Sequence, residues 1–387
     1  MYLPFLRKKG LEVVIASKHI PFKMKIKDIT QIIESFAPLA LQESYDNAGL
    51  IIGQPEAPVQ AALLCIDVTE AVIEEAKSLG ANLIIAHHPL IFNGLKKING
   101  CDMVQRCVIQ AIKNDIAIYA VHTNIDNVIG GVNGKIADKI GLSNRKILQS
   151  KKGMLVKIIT FVPKLHVQRV REAIFEAGGG QIGNYDACSF NAEGYGSFRP
   201  NEEAKPFVGK LHQIHYEEET KIEIILPAYL QGRAVEGLIQ AHPYEDPAFD
   251  VIPLLNAHKE IGSGIIGELE HPEEVIDFIR RIKKVFDVKV VRHTALIKNN
   301  INKVAVCGGA GSFLLEEAIR AGADIFISGD FKYHEFFKAE NKIIIADLGH
   351  FETEQFTKDL LFEIIQKKLP TFALHISKIN TNPIFYL

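Results

Sequence analysis

Apolar and polar residues alternate along the first third of the chain in a strand–helix–strand pattern. Short apolar runs at 61–66, 83–86 and 117–121 are separated by segments with helical spacing. Asp102 is placed to cap one of these helices, and Gly80 is placed to end another. Alternation of this kind predicts an α/β fold with a mostly parallel sheet flanked by helices.

The end of the chain repeats this pattern. Residues 74–88 match residues 316–330 without a gap, sharing Glu-Glu-Ala and Gly-Ala, and each copy follows an apolar run. We therefore predict two related α/β halves, 24–148 and 262–387, which together form one discontinuous host domain. A chance similarity between two helix-forming segments is the alternative.

Residues 152–258 follow a different pattern. Two apolar runs that end in proline, 157–163 and 221–227, each precede a segment with helical spacing and a further apolar run. Two such β-α-β units predict an inserted ferredoxin-like α+β domain. Within it, residues 185–190 are predicted to form a strand, and residues 194–200 to begin a long, mobile loop.

The composition is that of a globular protein and excludes several classes. The 387 residues are 47% hydrophobic and 23% charged, and the formal net charge is −2. This charge gives no electrostatic basis for binding nucleic acid or an anionic membrane, and no apolar stretch approaches the length of a membrane span. The five cysteines are scattered and never spaced as CxxC, which favours reduced thiols in a cytoplasmic protein.

The first 23 residues differ from the rest of the chain. Five basic residues there accompany a single acid, Glu12, and the apolar pieces are too short for a signal peptide. Met24 then opens a segment with regular helical spacing. Two interpretations stay open, a start codon assigned too far upstream and a frayed N-terminal extension.

Histidines and acidic residues follow three of the apolar runs. They are His87, His88, Asp126, His350 and Glu354. The carboxyl ends of parallel strands share one edge of a sheet, where ligands collect. Imidazole and carboxylate groups without thiolate suit Zn, Fe, Mn, Ni or Co, and five donors are enough for two divalent ions. The pattern predicts a dinuclear, hydrolytic site, whereas any one histidine alone is more often a hydrogen-bonded structural residue.

Three further residues are candidates for supporting roles. His122 precedes Asp126 by about one helical turn and could orient a metal ligand. The internal repeat aligns Asp330 with His88, which places Asp330 at the same sheet edge. Asp330 or His334 could therefore move a proton or orient a substrate. For Asp330, an N-cap of the following helix is the alternative.

These motifs together resemble one known family. The pieces that carry the resemblance are Glu43-Ser-Tyr-Asp-Asn-Ala-Gly-Leu50, Ala86-His-His-Pro89, His122-Thr-Asn-Ile-Asp126, Gly329-Asp-Phe-Lys-Tyr-His334, and Gly349-His350 with Glu354. The combination spans most of the chain and is similar to the GTP cyclohydrolase 1 type 2 homolog family, also called NIF-three-like. Tyr45 stands where many members have Trp, and Ser328 where many have Thr.

The resemblance implies several properties of the protein. It implies that the five residues named above bind two metal ions and that the chain assembles into a toroidal homohexamer. It also implies that the insert is similar to PII and CutA proteins, on the match of residues 198–200 and 242–247. The family name further implies attack of metal-activated water on C8 of the GTP purine, with release of formate.

Two functions from different classes fit these observations. The first is a dinuclear metal-dependent hydrolase that acts on a nucleotide or a related small heterocycle. The second is a non-enzymatic, metal-binding hexameric assembly or regulator, in which the PII-like insert senses a small molecule or recruits a partner. An open coordination position that faces a cavity would favour the hydrolase, because a structural metal site is closed.

Overall fold

Three sheets and the helices packed on them make up the fold. The computed structural model describes residues 24–387, so the predicted N-terminal extension lies outside the described residues. The strands are β1 (Gly49–Ile52), β2 (Ala61–Cys65), β3 (Leu83–Ala86), β4 (Ala117–Ala120), β5 (Ser143–Ser150), β6 (Leu155–Pro163), β7 (Phe190–Phe198), β8 (His215–Pro227), β9 (Phe249–Pro253), β10 (Gly262–Glu274), β11 (Arg292–His293), β12 (Asn300–Ala310), β13 (Ile325–Gly329), β14 (Ile344–Asp347) and β15 (Ala373–Ile376). The α-helices are α1 (Ile26–Phe36), α2 (Glu70–Ser78), α3 (Met103–Lys113), α4 (Thr123–Asp126), α5 (Val132–Ile140), α6 (Val167–Glu176), α7 (Gln231–Ala241), α8 (Val275–Val285), α9 (Leu315–Arg320), α10 (His350–Glu354) and α11 (Thr357–Lys368). Within the described residues, none of the helices combines the length and the apolar character that a membrane span requires.

The first sheet has the strand order β1-β4-β3-β2-β15. Its four strands β4, β3, β2 and β15 are parallel, and β1 runs antiparallel along the edge of β4. Every residue of β2, β3 and β4 is buried, as expected for parallel strands covered on both faces. The predicted strands of this region are confirmed to within one residue, and Asp102 caps α3 by accepting a hydrogen bond from the Gln105 amide at 2.8 Å.

The second sheet has the order β11-β14-β13-β12-β10-β5. Only its central strands β12, β13 and β14 are parallel, and the other three pair antiparallel. The prediction of a mostly parallel sheet is therefore correct for the first sheet and for the centre of the second.

The internal repeat corresponds to equivalent hydrogen bonds in the two sheets. Asn82 accepts from the Gln60 amide, and Asp324, its counterpart, accepts from the Asn302 amide, both at 2.8 Å. Each of these residues immediately precedes the central parallel strand of its sheet. The two halves nevertheless exchange strands: β5 pairs with β10 in the second sheet, while β15 returns to the first. One continuous apolar core consequently joins the two sheets.

Residues 155–253 form the third sheet, with the order β7-β8-β6-β9 and all strands antiparallel. Helices α6 and α7 pack on one face, and the buried apolar cluster there contains only residues of this segment. The strand predicted at 185–190 is wrong, because β7 begins only at Phe190. The mobile loop predicted from Gly194 is also wrong in its first residues, since Gly194 to Phe198 continue β7 and pair with β8. The two glycines and the aromatic residue of this segment are typical of a loop, but pairing with β8 makes it a strand.

Candidate metal centre

The carboxyl ends of the two sheets that share a core meet at one cluster of polar side chains. His87 and His88 directly follow β3, and Asp126 ends the short helix α4 that follows β4. From the second sheet, β14 leads through Gly349 into α10, which carries His350 at its first residue and Glu354 one turn later. The helical spacing of four places these two side chains on the same face of α10. The structure therefore brings together all five residues predicted as metal ligands.

Glu354 lies at the centre of this cluster and is almost completely buried. Its Oε2 atom is 3.0 Å from His88 Nε2 and 3.1 Å from His350 Nε2. The two imidazole nitrogens are 3.3 Å apart. The other carboxylate oxygen, Oε1, faces His87 Nε2 at 3.6 Å, so the two oxygens of one carboxylate serve different histidines.

Within residues 24–387, three buried nitrogen and oxygen atoms of the cluster form no well-aligned hydrogen bond. They are His87 Nε2, Asp126 Oδ1 and Glu354 Oε2. Buried polar atoms are rarely left without a partner unless an ion or water completes them. The candidate ligand atoms of His87, His88 and Glu354 all lie within 4.8 Å of one another. Asp126 Oδ1 lies 3.9 Å from the Nε2 atom of His87. These donors fit a divalent metal.

Each of the three candidate ligand histidines is oriented through its other ring nitrogen. His87 Nδ1 is 2.8 Å from the Val121 carbonyl oxygen, His88 Nδ1 is 2.7 Å from Asp67 Oδ1, and His350 Nδ1 is 2.7 Å from Asp330 Oδ2. An oxygen acceptor requires a proton on Nδ1. That proton leaves the lone pair of each neutral imidazole on Nε2, directed into the cluster, which is the usual arrangement for metal-binding histidine.

Electrostatic interactions within the cluster raise the pKa values of the imidazoles and lower that of Glu354. Burial alone would lower the pKa of His88, but its contacts with Asp67 and Glu354 raise the pKa to about 10. Burial would likewise lower the pKa of His350, but its contacts with Glu354 and Asp330 raise the pKa to about 9. Burial opposes ionisation of Glu354, yet the surrounding imidazoles hold its pKa well below the usual value. The carboxylate is thus ionised, and the site is suited to cations.

Two glycines near the end of β12, Gly308 and Gly309, lie against the Glu354 side chain. Gly309 has φ +62°, and a Cβ added there would lie 2.2 Å from Glu354 Oε1. Gly308 would place a Cβ 3.4 Å from the Glu354 side chain. Gly309 is therefore needed for close approach of the backbone to the carboxylate, whereas a Cβ at Gly308 would make only an ordinary van der Waals contact with Glu354.

His122 occupies a different place from the one expected. Its ring centroid lies 5.5 Å from that of His87 and 5.4 Å from that of His88. Within residues 24–387 its side chain forms no hydrogen bond with a candidate ligand, and it is itself oriented by Asp46, whose Oδ1 atom is 2.6 Å from His122 Nδ1. Burial opposes ionisation of Asp46, but hydrogen bonds from His122 and Thr123 lower its pKa to about 2.

Sequence reasoning missed the role of two acids, Asp46 and Asp67. Asp67 follows β2 by two residues at the same sheet edge as His88, a signal that could have identified it. Thr381, in the C-terminal segment, donates a hydrogen bond to Asp67 Oδ2 at 2.6 Å. This contact joins the end of the chain to the centre, and nothing in the sequence pattern indicates it.

Asp330 and His334, the two residues predicted for proton transfer, lie in different surroundings. Asp330 contacts His350, as described above, and the helical turn after it is capped at Lys332, so the N-cap interpretation is wrong. Its φ of +58° is left-handed, a conformation that Asp tolerates better than most residues. His334 is exposed and packs against Tyr333 and Phe337. Within residues 24–387, no hydrogen bond joins His334 to the ligand cluster.

The fold and the site define a class of protein. The chain is a mixed α/β protein in which histidines and acids from the carboxyl edges of two sheets could hold a metal ion through nitrogen and oxygen donors.

Comparison with known proteins identifies the family within this class. The chain belongs to the Duf34/NIF3 (NGG1p interacting factor 3) family, whose model matches residues 24–383. A relative from Halalkalibacterium halodurans, called GTP cyclohydrolase 1 type 2 homolog, is 39% identical over 364 residues, covering 93% of this chain and 98% of the relative. A relative of the same name from Bacillus subtilis is 34% identical over 371 residues, with 93% and 98% coverage.

Two solved structures share the fold over nearly the whole chain. A Bacillus cereus protein described as related to NIF3 superposes with a TM-score of 0.82 at 38% identity, covering 94% of this chain and 100% of that one. A Staphylococcus aureus protein gives a TM-score of 0.75 at 30% identity, with 94% and 99% coverage.

Proposed function

We propose that this protein is a dinuclear, divalent-metal-dependent hydrolase that opens the base ring of a nucleotide, with GTP as the first substrate to test. The proposal rests on three buried nitrogen and oxygen atoms that converge in the cluster and form no well-aligned hydrogen bond within residues 24–387. The name shared by the relatives, GTP cyclohydrolase 1 type 2 homolog, supports the substrate class.

The arrangement of donors suggests how two ions would be held. His88, His350 and Glu354 Oε2 would hold one ion, and His87 with Asp126 would hold the other. Glu354 would serve both, because its Oε1 atom faces His87. When bound, two such ions activate water and polarise the substrate. Zn, Fe, Mn, Ni and Co all accept this donor set.

The surrounding residues would position the ligands and move protons. Asp67 and Asp330 hold His88 and His350 in the required tautomer. We propose Asp330 and His334 as the catalytic groups for proton transfer. Asp330 is half exposed beside His350, and His334 lies four residues later, where it would exchange protons with solvent.

We further propose that residues 152–258 form a separately folded, ferredoxin-like domain similar to PII and CutA proteins. The element order β6-α6-β7-β8-α7-β9 and the core confined to this segment support the assignment. The proposal also includes a toroidal homohexamer in the cytoplasm. Light scattering on the purified protein should then give six times the chain mass of 43.0 kDa.

The decisive experiment combines metal analysis with a hydrolysis screen. Purified wild type should contain two divalent ions per chain and release formate from GTP or hydrolyse another nucleotide. Glu354→Gln and His88→Ala should each lose metal and activity while keeping the fold, since the apolar core is formed independently of the ligands.

Glu352→Gln is the matched control. Glu352 lies two residues from Glu354 on α10, is also buried, and accepts a hydrogen bond from Asn382 outside the cluster. It should retain both ions. Two ions per chain in Glu354→Gln and His88→Ala would contradict the site. Full metal content in wild type with no hydrolysis of any nucleotide would instead favour the metal-binding assembly with a sensor domain.

A further inference from the structure

A cavity of about 630 Å³ lies in the segment of residues 155–253, away from the ligand cluster. This volume is within the range of small-molecule sites. Strands β7 and β8 form its floor, where Gly194 pairs opposite Glu219. A Cβ added to Gly194 would meet nothing within 4 Å. The space above this part of the floor is therefore open.

A buried carboxyl group lines this cavity. Glu219 is only 8% exposed, and its Oε1 atom accepts a hydrogen bond from the Tyr244 hydroxyl at 2.9 Å. Its other oxygen lies over Gly196, where an added Cβ would be 2.1 Å from Oε2. Gly196 therefore makes room for the carboxyl group, and any side chain at this position would displace it.

Within the described residues, no cationic side chain forms an ion pair with Glu219. None of the ion pairs formed within residues 24–387 includes it. Lys221 also lines the cavity, but its amino group is 2.6 Å from Glu223. Arg199 is exposed. Because a buried charge is costly without a partner, the cavity is complementary to a positively charged ligand.

Aromatic rings line the same cavity. The Tyr244 ring centroid lies 5.9 Å from that of Phe198 and 6.3 Å from that of Phe207. The faces of such rings attract ammonium and guanidinium groups. A hard metal ion would instead require six or more oxygen ligands, and these ring carbons provide none.

We propose that this cavity binds a small organic cation, whose ammonium or guanidinium group pairs with Glu219 and packs against Phe198, Phe207 and Tyr244. The site is distinct from the metal centre and does not depend on the proposed hydrolase activity. It would give the inserted segment a ligand of its own.

The test is calorimetric titration of the full-length protein with choline, n-pentylammonium and n-butylguanidinium. The neutral isostere of choline, 3,3-dimethylbutan-1-ol, is titrated in parallel. At least one cation should bind one site per chain, and choline should bind more tightly than its neutral isostere. In Glu219→Gln the affinity should fall about tenfold or more, as expected for loss of a contact between two charges.

Two further variants separate binding from folding. Glu218→Gln removes the same charge from the neighbouring residue, which points to the opposite face of β8 and pairs with Lys164, so it should bind like wild type. Phe207→Ala removes a half-exposed ring without disturbing the core, and its affinity for the cation should fall about threefold to tenfold.

Several results would overturn the proposal. They are binding of none of the cations below about 10 mM, equal affinity for choline and its isostere, unchanged affinity in Glu219→Gln, or displacement of the organic cation by Mg²⁺. The last result would make the cavity a metal site.

Discussion

Replacing Asp330 tests whether the acid that holds His350 sets the metal affinity of the centre. The carboxylate of Asp330 accepts a hydrogen bond from His350 Nδ1 at 2.7 Å and makes no other side-chain hydrogen bond within the described residues. Its removal frees the imidazole to rotate and to change tautomer, so that Nε2 no longer points steadily at Glu354. We therefore expect Asp330→Gly to weaken metal binding while leaving the core intact.

The magnitude follows from the geometry. Loss of a residue that orients a metal-binding histidine costs about 10- to 100-fold in metal affinity. The Asp330 side chain is 49% exposed, so solvent screens its charge and the lower end, about tenfold, is expected. Asp330→Asn keeps an acceptor and tolerates the left-handed φ of +58°, and its loss should be smaller. Asp330→Ala should bind metal like the Gly variant but be about 1 kcal/mol less stable, because Ala is strained at this φ.

The assay is competition for metal against a fluorescent chelator, with urea unfolding of the same preparations. Wild-type metal affinity in Asp330→Gly would refute the positioning role. If Asp330 also accepts a proton in the reaction, Asp330→Asn should keep most of its metal and lose activity by roughly 100-fold or more. The two roles are thus separated by which quantity changes, the metal affinity or the rate at full metal occupancy.

Three other predictions follow from the structure. Thr381→Val removes the hydroxyl that supports Asp67 and should weaken metal binding a few-fold, whereas Thr381→Ser should not; equal affinities in the two variants would remove the C-terminal segment from the centre. For Asp324, burial raises the pKa, but Lys298 and two backbone amides outweigh it and lower the pKa below its usual value, so its stabilisation is present above the unfolded pKa and lost as pH falls through the folded one. Asp324→Asn should accordingly cost about 1–3 kcal/mol of unfolding free energy at pH 7, and the difference from wild type should shrink below about pH 4; a difference independent of pH in urea titrations would contradict the charge argument. Replacing residues 152–258 with a short Gly-Ser bridge should spare metal binding, because Ser150 and Gly262 pair directly; an insoluble or metal-free product would show that the insert belongs to the host core.

The cluster of candidate ligands could be predicted because its residues follow recognisable elements. His87 and His88 end a fully buried apolar run, and His350 and Glu354 have helical spacing after another. The rule that parallel strands share a carboxyl edge then places each pair at the carboxyl edge of its own sheet. Asp67 could have been found by the same rule because it follows β2, but its contact with Thr381 could not, because Thr381 reaches it across more than 300 residues of chain.

The sequence by itself determined the local elements, the repeat between residues 74–88 and 316–330, and the donor chemistry of the centre. Periodicity and residue type depend on residues close together in the chain, so they can be recognised from the sequence alone. Only the tertiary structure decided the strand exchange of β5 and β15, the conversion of Gly194 to Phe198 into a strand, and the convergence of two sheet edges on Glu354. These features depend on which distant segments pair and pack, and the free energy of that choice comes from contacts far apart in the chain.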